Sequence, residues 1–342
     1  MSPTTEYICF SLIKIVGVIA ILMPTIAYSV LIERKVSAFI QDRIGPNRVG
    51  PFGIWQPLAD GLKFILKEDF TPAHVRKIYF WIAPAITMIP AFLTMAVIPF
   101  GSQIGAQKMV IADLNVGVLY TFGIVSLGVY GIVLAGYASN SKYPFLGSIR
   151  SSAQMISYEM AMGLSVIPIF MLVGDLNLSQ VIEYQAGGLF NWLVFKQPLG
   201  FAIFIVAAFA ETNRLPFDMP ESESELIGGY HTEYGSMKFA LFFLGEYANM
   251  IASSAMMVTL FFGGWTLPIG GLDEPATTLL AGVAHIAIFF GKMMCLMLVF
   301  IWVRWMLPRF RYDQLMDLGW RRFLPLALAN IFITAVILWA QS

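Results

Sequence analysis

Eight runs of apolar side chains constrain what this chain can fold into. They cover roughly residues 8–32, 78–100, 116–137, 158–173, 200–210, 239–262, 277–303 and 323–340. A helix needs about 20 mainly apolar residues to cross the hydrocarbon core of a bilayer, so each run is a candidate transmembrane helix. The runs at 158–173 and 200–210 are short, so each must borrow neighbouring residues or sit deep among other helices. The run at 277–303 is long enough to tilt or protrude. None alternates with the period of two that a membrane β-barrel requires. Composition agrees: 58% of the 342 residues are hydrophobic and 12% charged, against about 45–50% and about 25% in soluble domains. A soluble enzyme or a nucleic-acid binder is excluded. The first run lacks a basic leader and is too long for a signal core, so it reads as a transmembrane helix rather than a cleaved signal. The expected fold is an all-α integral membrane protein, one polytopic domain over 1–342, with about eight transmembrane helices and an interfacial helix on the cytoplasmic side.

The formal charge sums to zero, but its placement is uneven. Of 21 Lys and Arg residues, 17 fall in loops 1, 3, 5 and 7 between the predicted spans, eight of them in the first and five in the seventh. Loops 2 and 6 carry at most Lys108, loop 4 carries Lys196, and Lys14 and Lys292 lie inside spans. By the positive-inside rule the odd loops are cytoplasmic and both termini lie outside. The two cysteines, Cys9 and Cys295, sit in apolar runs, and His74, His231 and His285 are far apart. No paired-cysteine, zinc-ligand or nucleotide motif occurs, so no thiolate metal site or iron–sulfur cofactor motif is available in the chain.

Two loops carry most of the remaining polar residues. In loop 1 (33–77), Gly45-Pro46, Gly50-Pro51 and Pro57 punctuate the first half. Trp55, Leu58, Leu62, Ile65 and Leu66 then recur at helical spacing, with Asp60, Lys63 and Lys67 on other faces. That pattern predicts an amphipathic helix in the membrane interface. It serves either as a surface anchor or as the mouth of a site for a lipid-soluble ligand that enters from the bilayer. Loop 5 (211–238) packs six carboxylates into one segment: Glu211, Asp218, Glu221, Glu223, Glu225 and Glu233. A charge run is most often a solvated face. Here Phe217, Met219, Leu226, Ile227 and Tyr230 interleave with the acids. Carboxylates crowded in a low dielectric repel, and some then exchange protons near neutrality.

Lys14, Glu159, Glu246 and Lys292 lie within or at the edge of predicted spans. Each is costly if exposed to lipid, so each is expected to face a polar interior and a partner. Snorkelling to the interface is the alternative for the edge residues. For Glu246 and Lys292, which sit deeper, a proton or ion path is the default reading. Pro24 lies inside the first run, where it removes a helical hydrogen bond.

Four stretches carry a family resemblance: ERK at 33–35, DRIGPNRVGPFGIWQPLADGLK at 42–63, ETNRLPFDMPESESEL at 211–226 and RFRYDQLM at 309–316. With them the chain resembles, over essentially its whole length, the H-subunit family of the proton-pumping NADH:quinone oxidoreductase (respiratory complex I), whose mitochondrial counterpart is subunit 1 of NADH dehydrogenase. The serines in ESESEL depart from the small apolar residues expected there, but leave the carboxylates in register. The resemblance implies a membrane subunit that joins the membrane arm to the peripheral arm and forms much of the ubiquinone chamber. Two peripheral-arm subunits complete that chamber, one of which carries the terminal iron–sulfur cluster. Ubiquinone would be the substrate, and NADH, FMN and the clusters would belong to partner subunits. Other membrane-arm subunits and lipids would surround the chain in a bacterial inner membrane, with periplasmic termini.

The residue roles implied are of two kinds. Arg34, Arg43, Trp55, Asp60 and Arg304 would serve quinone binding, since a guanidinium can hydrogen-bond a quinone oxygen or hold a carboxylate. Glu211, Asp218, Glu221, Glu223, Glu225 and Glu233 would form an acidic funnel for proton coupling, continued into the membrane by Glu159 and Glu246. Glu33 is a further candidate beside Arg34, as an ion-pair partner. Two rival readings stay open. A hydrogenase-type or formate hydrogenlyase membrane anchor shares the acidic loop and should lack the full entrance segment. A secondary transporter should show inverted repeats, and the halves show no hydropathy symmetry.

Overall fold

The computed structural model describes residues 3–105, 107–219, 227–268 and 271–341. Seven of its helices are long and apolar enough to cross a membrane. In chain order the helices are α1 (Pro3–Ile40), α2 (Gln56–Leu66), α3 (Lys77–Thr94), α4 (Gly117–Ala138), α5 (Lys142–Val173), α6 (Leu178–Tyr184), α7 (Leu193–Lys196), α8 (Pro198–Glu211), α9 (Ser236–Phe261), α10 (Leu279–Met306), α11 (Tyr312–Asp317) and α12 (Leu324–Gln341). A π-helical turn, Leu318–Phe323, runs α11 into α12, so the two form one span of 30 residues. Between α3 and α4 a minimal antiparallel hairpin pairs Gln103–Ile104 with Gln107–Lys108. The multi-pass helical membrane protein expected from the apolar runs is what the chain forms.

The two short runs resolve differently. The run at 158–173 is the second half of α5, which begins at Lys142 and has 32 residues. At about 1.5 Å per residue that is roughly 48 Å, longer than the hydrocarbon core. The run at 200–210 is α8, with only 14 residues, or about 21 Å. It is too short to cross alone, and Ile203, Phe204, Ala207 and Ala208 bury it in the bundle. The irregular chain ahead of it is possible at membrane depth only because protein groups satisfy its backbone. The buried Gln185 amide does this: it donates to Val181 O and Thr259 O, and accepts from Leu193 N and Gly263 N. Gln197 in turn binds Asn330 and Thr334 of α12.

Helix α9 is the axis of the molecule. Within its most apolar window 67% of the residues are buried, against 28% in α1 and 17% in the final span. Its Tyr247, Ile251, Met257 and Phe261 pack with Phe204 and Phe209 of α8 and Phe300 of α10. Helices α3 and α4 approach closely at Gly131, where a Cβ would collide with the backbone of Thr87. Lipid is the natural neighbour of the other faces: Phe332, Ile333, Val336 and Trp339 of α12 are exposed.

The loops gather at two ends. At one end Arg76 N donates to Ala138 O, Asn140 to His74 O, and Phe310 N to Pro216 O, tying together the chain that follows α1, α4, α8 and α10. At the other, Gln103 donates to Ala276 O and Asn177 to Asp113, joining the turns after α3, α5 and α9. The end that carries most of the basic residues is the end that carries the site.

Candidate functional site

The polar centre of the molecule is a knot of five side chains from four segments. Glu33, near the end of α1, is buried at 5% exposure, as is Arg214 at 4% in the loop after α8. The Arg214 guanidinium donates to both Glu33 oxygens, at 3.1 and 3.2 Å. Tyr247 of α9 donates its hydroxyl to Glu33 Oε2 at 2.6 Å, and Arg304, at the end of α10, pairs with Glu33 Oε1. On its other side Arg214 Nε lies 2.7 Å from Glu246 Oε1, and its plane sits 4.4 Å from the Tyr247 ring centroid. Burial opposes the Arg214 charge, but Glu246 and Glu33 outweigh it and push its pKa above the ordinary arginine range. The cation is therefore permanent. Removing charges from water costs several kcal/mol per ion, and apolar replacements often do as well for stability. A knot of this kind therefore points to chemistry rather than to folding energy.

Local backbone explains how Arg214 gets there. Asn213, in the left-handed region at φ 52°, turns the chain back on itself after α8; Asn tolerates that conformation better than most residues. The buried Gln154 of α5 then holds the loop by donating to Ala210 O at 2.7 Å and Phe217 O at 2.8 Å. Phe217 and Met219 are buried, as the interleaved apolar residues of this loop led one to expect.

Beside the knot lies an open cavity of about 500 Å³ between α1, α2 and α9. Its walls are mostly apolar, with Ile26, Val30, Phe64 and Phe243 among them, and Tyr247 belongs both to its lining and to the knot. Arg34 and Asp60 line it together as an ion pair at 2.7 Å, and Gln56 donates to the same Asp60 at 3.1 Å. Helix α2 is the amphipathic helix read from the sequence. Leu58, Leu62, Ile65 and Leu66 are all more than half exposed, as an interfacial face requires. Its far end is tied to the start of α9: Ser236 donates its hydroxyl towards Phe64 O and Lys67 O, and Lys238 reaches Asp69 at 2.9 Å and Thr71 at 2.8 Å.

On the other side of Arg214 the polar groups continue into the bundle. Glu246, Asn249, Thr212 and Glu211 line a small cavity of about 20 Å³. Glu211, Thr212 and Asn249 also line a neighbouring one of about 50 Å³ with Thr94 and Thr121. Each exceeds the 10–15 Å³ or so that a water molecule needs, and each offers several polar partners. Glu211 is buried, with its Oε2 free of any hydrogen bond among the described residues, and Glu159 is its electrostatic neighbour. Glu159 in turn accepts a hydrogen bond from Ser126. Glu33, Arg214, Glu246, Glu211 and Glu159 thus form a stepped series from beside the cavity into the helix bundle.

Not every expected site residue joins this arrangement. Arg43 is exposed and donates to Gln41, outside the cavity lining. Trp55 is half exposed and stacks over the Gly50 turn, where a Cβ would strike its ring. Asp218 pairs with Arg309 at 3.0 Å, and Glu233 lies 3.8 Å from His74. Glu221, Glu223 and Glu225 lie outside the described residues. Lys292 has no carboxylate partner among the described residues: its ammonium is held by the carbonyls of Phe262, Gly264 and Thr266 at 2.6–3.1 Å, capping the end of α9. Sequence reasoning undervalued Glu33 and passed over Arg214 and Gln154. The available signal for Arg214 was its position, the lone base at the head of an acidic segment.

These features define a class: a multi-pass helical membrane protein with a lipid-accessible cavity set against a buried ionic knot. The family model described as NADH dehydrogenase matches residues 13–335. The chain belongs to that family. It is 49% identical to an NADH-quinone oxidoreductase H-subunit of Cytophaga hutchinsonii, covering 98% of each chain. It is 48% identical to an NADH-quinone oxidoreductase H-subunit of Geobacter metallireducens over 99% of each. NADH-quinone oxidoreductase subunit 8 of Rhodothermus marinus is 48% identical over 93% of this chain and 94% of its own.

Proposed function

We propose that this chain is the membrane subunit of an NADH:quinone oxidoreductase that forms much of the quinone chamber and couples quinone reduction to proton translocation. The observation that carries the reading is the double role of Tyr247, which lines the apolar cavity and donates to Glu33 of the ionic knot. A quinone partitions into the bilayer, passes the amphipathic face of α2 and enters between α1 and α9. Arg34, Asp60 and Arg304 then meet its polar head. Reduction to the quinol takes up two electrons and two protons. The electrons come from NADH through FMN and iron–sulfur clusters on partner subunits. The change in charge at the cavity shifts the balance around Glu33 and Arg214, and the carboxylates of Glu246, Glu211 and Glu159 relay it towards the membrane interior.

The names of the full-length relatives support this over a hydrogenase-type anchor or a transporter. In this arrangement the site end of the bundle faces the cytoplasm and the peripheral-arm subunits, and both termini lie in the periplasm of a bacterial inner membrane. Asp218 and Glu233 lie at that end, and Glu221, Glu223 and Glu225 would serve the same acidic funnel. Two measurements on the assembled complex test the reading. A photoreactive quinone analogue should label 52–67. Glu211→Gln and Glu246→Gln should lose proton pumping with the complex still assembled. An analogue that labels only other subunits, or fully coupled turnover in both variants, overturns it.

A further inference from the structure

Helix α1 flanks a second cavity, and the proposed quinone chemistry does not use it. This cavity, of about 390 Å³, lies between α1, α10 and the chain around the 103–108 hairpin. Its wall is almost wholly hydrocarbon, including Ile21, Met95, Phe289 and Met293. The polar groups lie near its ends: Lys14 and Gln107 at one, Thr25 at the other. The Thr25 hydroxyl is already satisfied by Ile21 O at 2.7 Å. Lys14 is not: its ammonium donates to Val110 O at 3.2 Å, and an ammonium has three donors. It has no carboxylate partner among the described residues. The nearby Asp113 is occupied by Lys108 at 2.7 Å and Asn177 at 2.9 Å.

Depth identifies the occupant. Lys14 and Glu33 stand on one continuous helix, about 28 Å apart along its axis. That is close to the roughly 30 Å thickness of the hydrocarbon core. With Glu33 at one boundary, Lys14 stands at the other. From Lys14 to Thr25 the cavity runs about 16 Å, or one leaflet. We infer that this cavity is a binding site for an anionic phospholipid of the leaflet opposite the quinone entrance. One acyl chain lies along α1 and the phosphate pairs with Lys14. A quinone fits poorly, because the polar head it would place there belongs at the other end of α1, with Arg34 and Asp60.

The test uses the complete complex in nanodiscs of equal phosphatidylglycerol and phosphatidylcholine. Retained lipid is counted by mass spectrometry after detergent extraction. Gly17→Phe projects a ring into the cavity from a position where a Cβ meets nothing within 4 Å. It should retain one phosphatidylglycerol fewer per complex, with short-chain quinone reduction within twofold of wild type. Lys14→Met should retain phosphatidylcholine in its place. In an otherwise unchanged chain, a benzophenone side chain at Ile13 should form an adduct with the mass of phosphatidylglycerol. That arm holds even where Gly17→Phe fails to assemble. Equal phosphatidylglycerol retention in wild type and the variants overturns the inference, as does an Ile13 adduct with a quinone or a polypeptide.

Discussion

Arg214 is a buried cation and Lys292 a half-buried one in a chain with few charges, and they are held in opposite ways. Arg214 meets carboxylates from two helices and a tyrosine that lines a cavity. Lys292 meets three backbone carbonyls at the end of α9, with the Trp192 ring 4.4 Å from its ammonium. Carboxylates can change charge and carbonyls cannot. The first arrangement therefore offers titratable partners to a reaction beside it, whereas in the second only the ammonium itself can change charge and its partners hold it at a helix end. Charge within the membrane is thus not by itself a mark of a proton path. The partner decides.

The comparison can be broken from either side. The largest effect is expected at Arg214→Leu. Removing one member of a buried ionic group strands the charges of Glu33 and Glu246, at about 3–5 kcal/mol. The complex should assemble poorly, as read by native gel electrophoresis, and the fraction that assembles should have lost quinone reduction. Arg214→Lys keeps the charge and loses the fork. Assembly should recover while turnover stays well below wild type, which separates charge from geometry. Lys292→Met comes next, because it leaves carbonyls without a donor at about 1–3 kcal/mol. It should lower the melting temperature of the complex while leaving turnover per assembled complex unchanged. A matched fall in turnover would erase the distinction between the two cations.

Smaller effects test the surroundings of the cavity. Ser236→Ala deprives two carbonyls at the end of α2 of their hydroxyl donor, and one lost hydrogen bond is worth about 1 kcal/mol. If that cost falls on the bound state of the substrate, KM for a long-chain quinone should rise roughly fivefold with kcat retained. The smallest effect is expected at the other end of the bundle, at Asp113→Asn. Burial would raise the Asp113 carboxyl, but Lys108, Asn177 and Ser179 hold it below the usual carboxylate range. Its contribution is therefore present above about pH 4 and is lost as pH falls through the lowered folded-state value. In this partly exposed, screened pair it should stay under about 1 kcal/mol. The melting difference between variant and wild type should shrink on acidification.

Much of this was legible in the chain. The apolar runs marked every span, and the period of Leu58, Leu62, Ile65 and Leu66 marked α2 as interfacial. Arg34 and Asp60, named for quinone binding, pair with each other in the lining of one cavity. Glu159 and Glu246 were named as charges within the spans and Glu211 as the first acid of loop 5; the three lie near one another in the structure. Arg43 was named on the same grounds and stands apart. Resemblance transfers a position, but whether a long, exposed side chain turns towards the cavity depends on packing that the motif does not contain. Lys292 was expected to face a polar interior and a partner, and it does; that the partners are backbone carbonyls leaves no trace in residue identity.

By itself, the sequence determined the membrane class, the order of the apolar segments and the family, but it counted about eight spans where seven helices are long and apolar enough to cross. Those follow from hydrophobicity and local pattern, which act over one helix at a time. Only the tertiary structure decided that Glu33, Arg214, Glu246, Tyr247 and Arg304, up to 271 residues apart, share one buried knot. It also decided that α1 has a polar-mouthed cavity on one half and a lipid-like one on the other. Contacts of that kind depend on how helices cross and where a loop folds back. A buried charge finds its partner in space, whatever the distance along the chain.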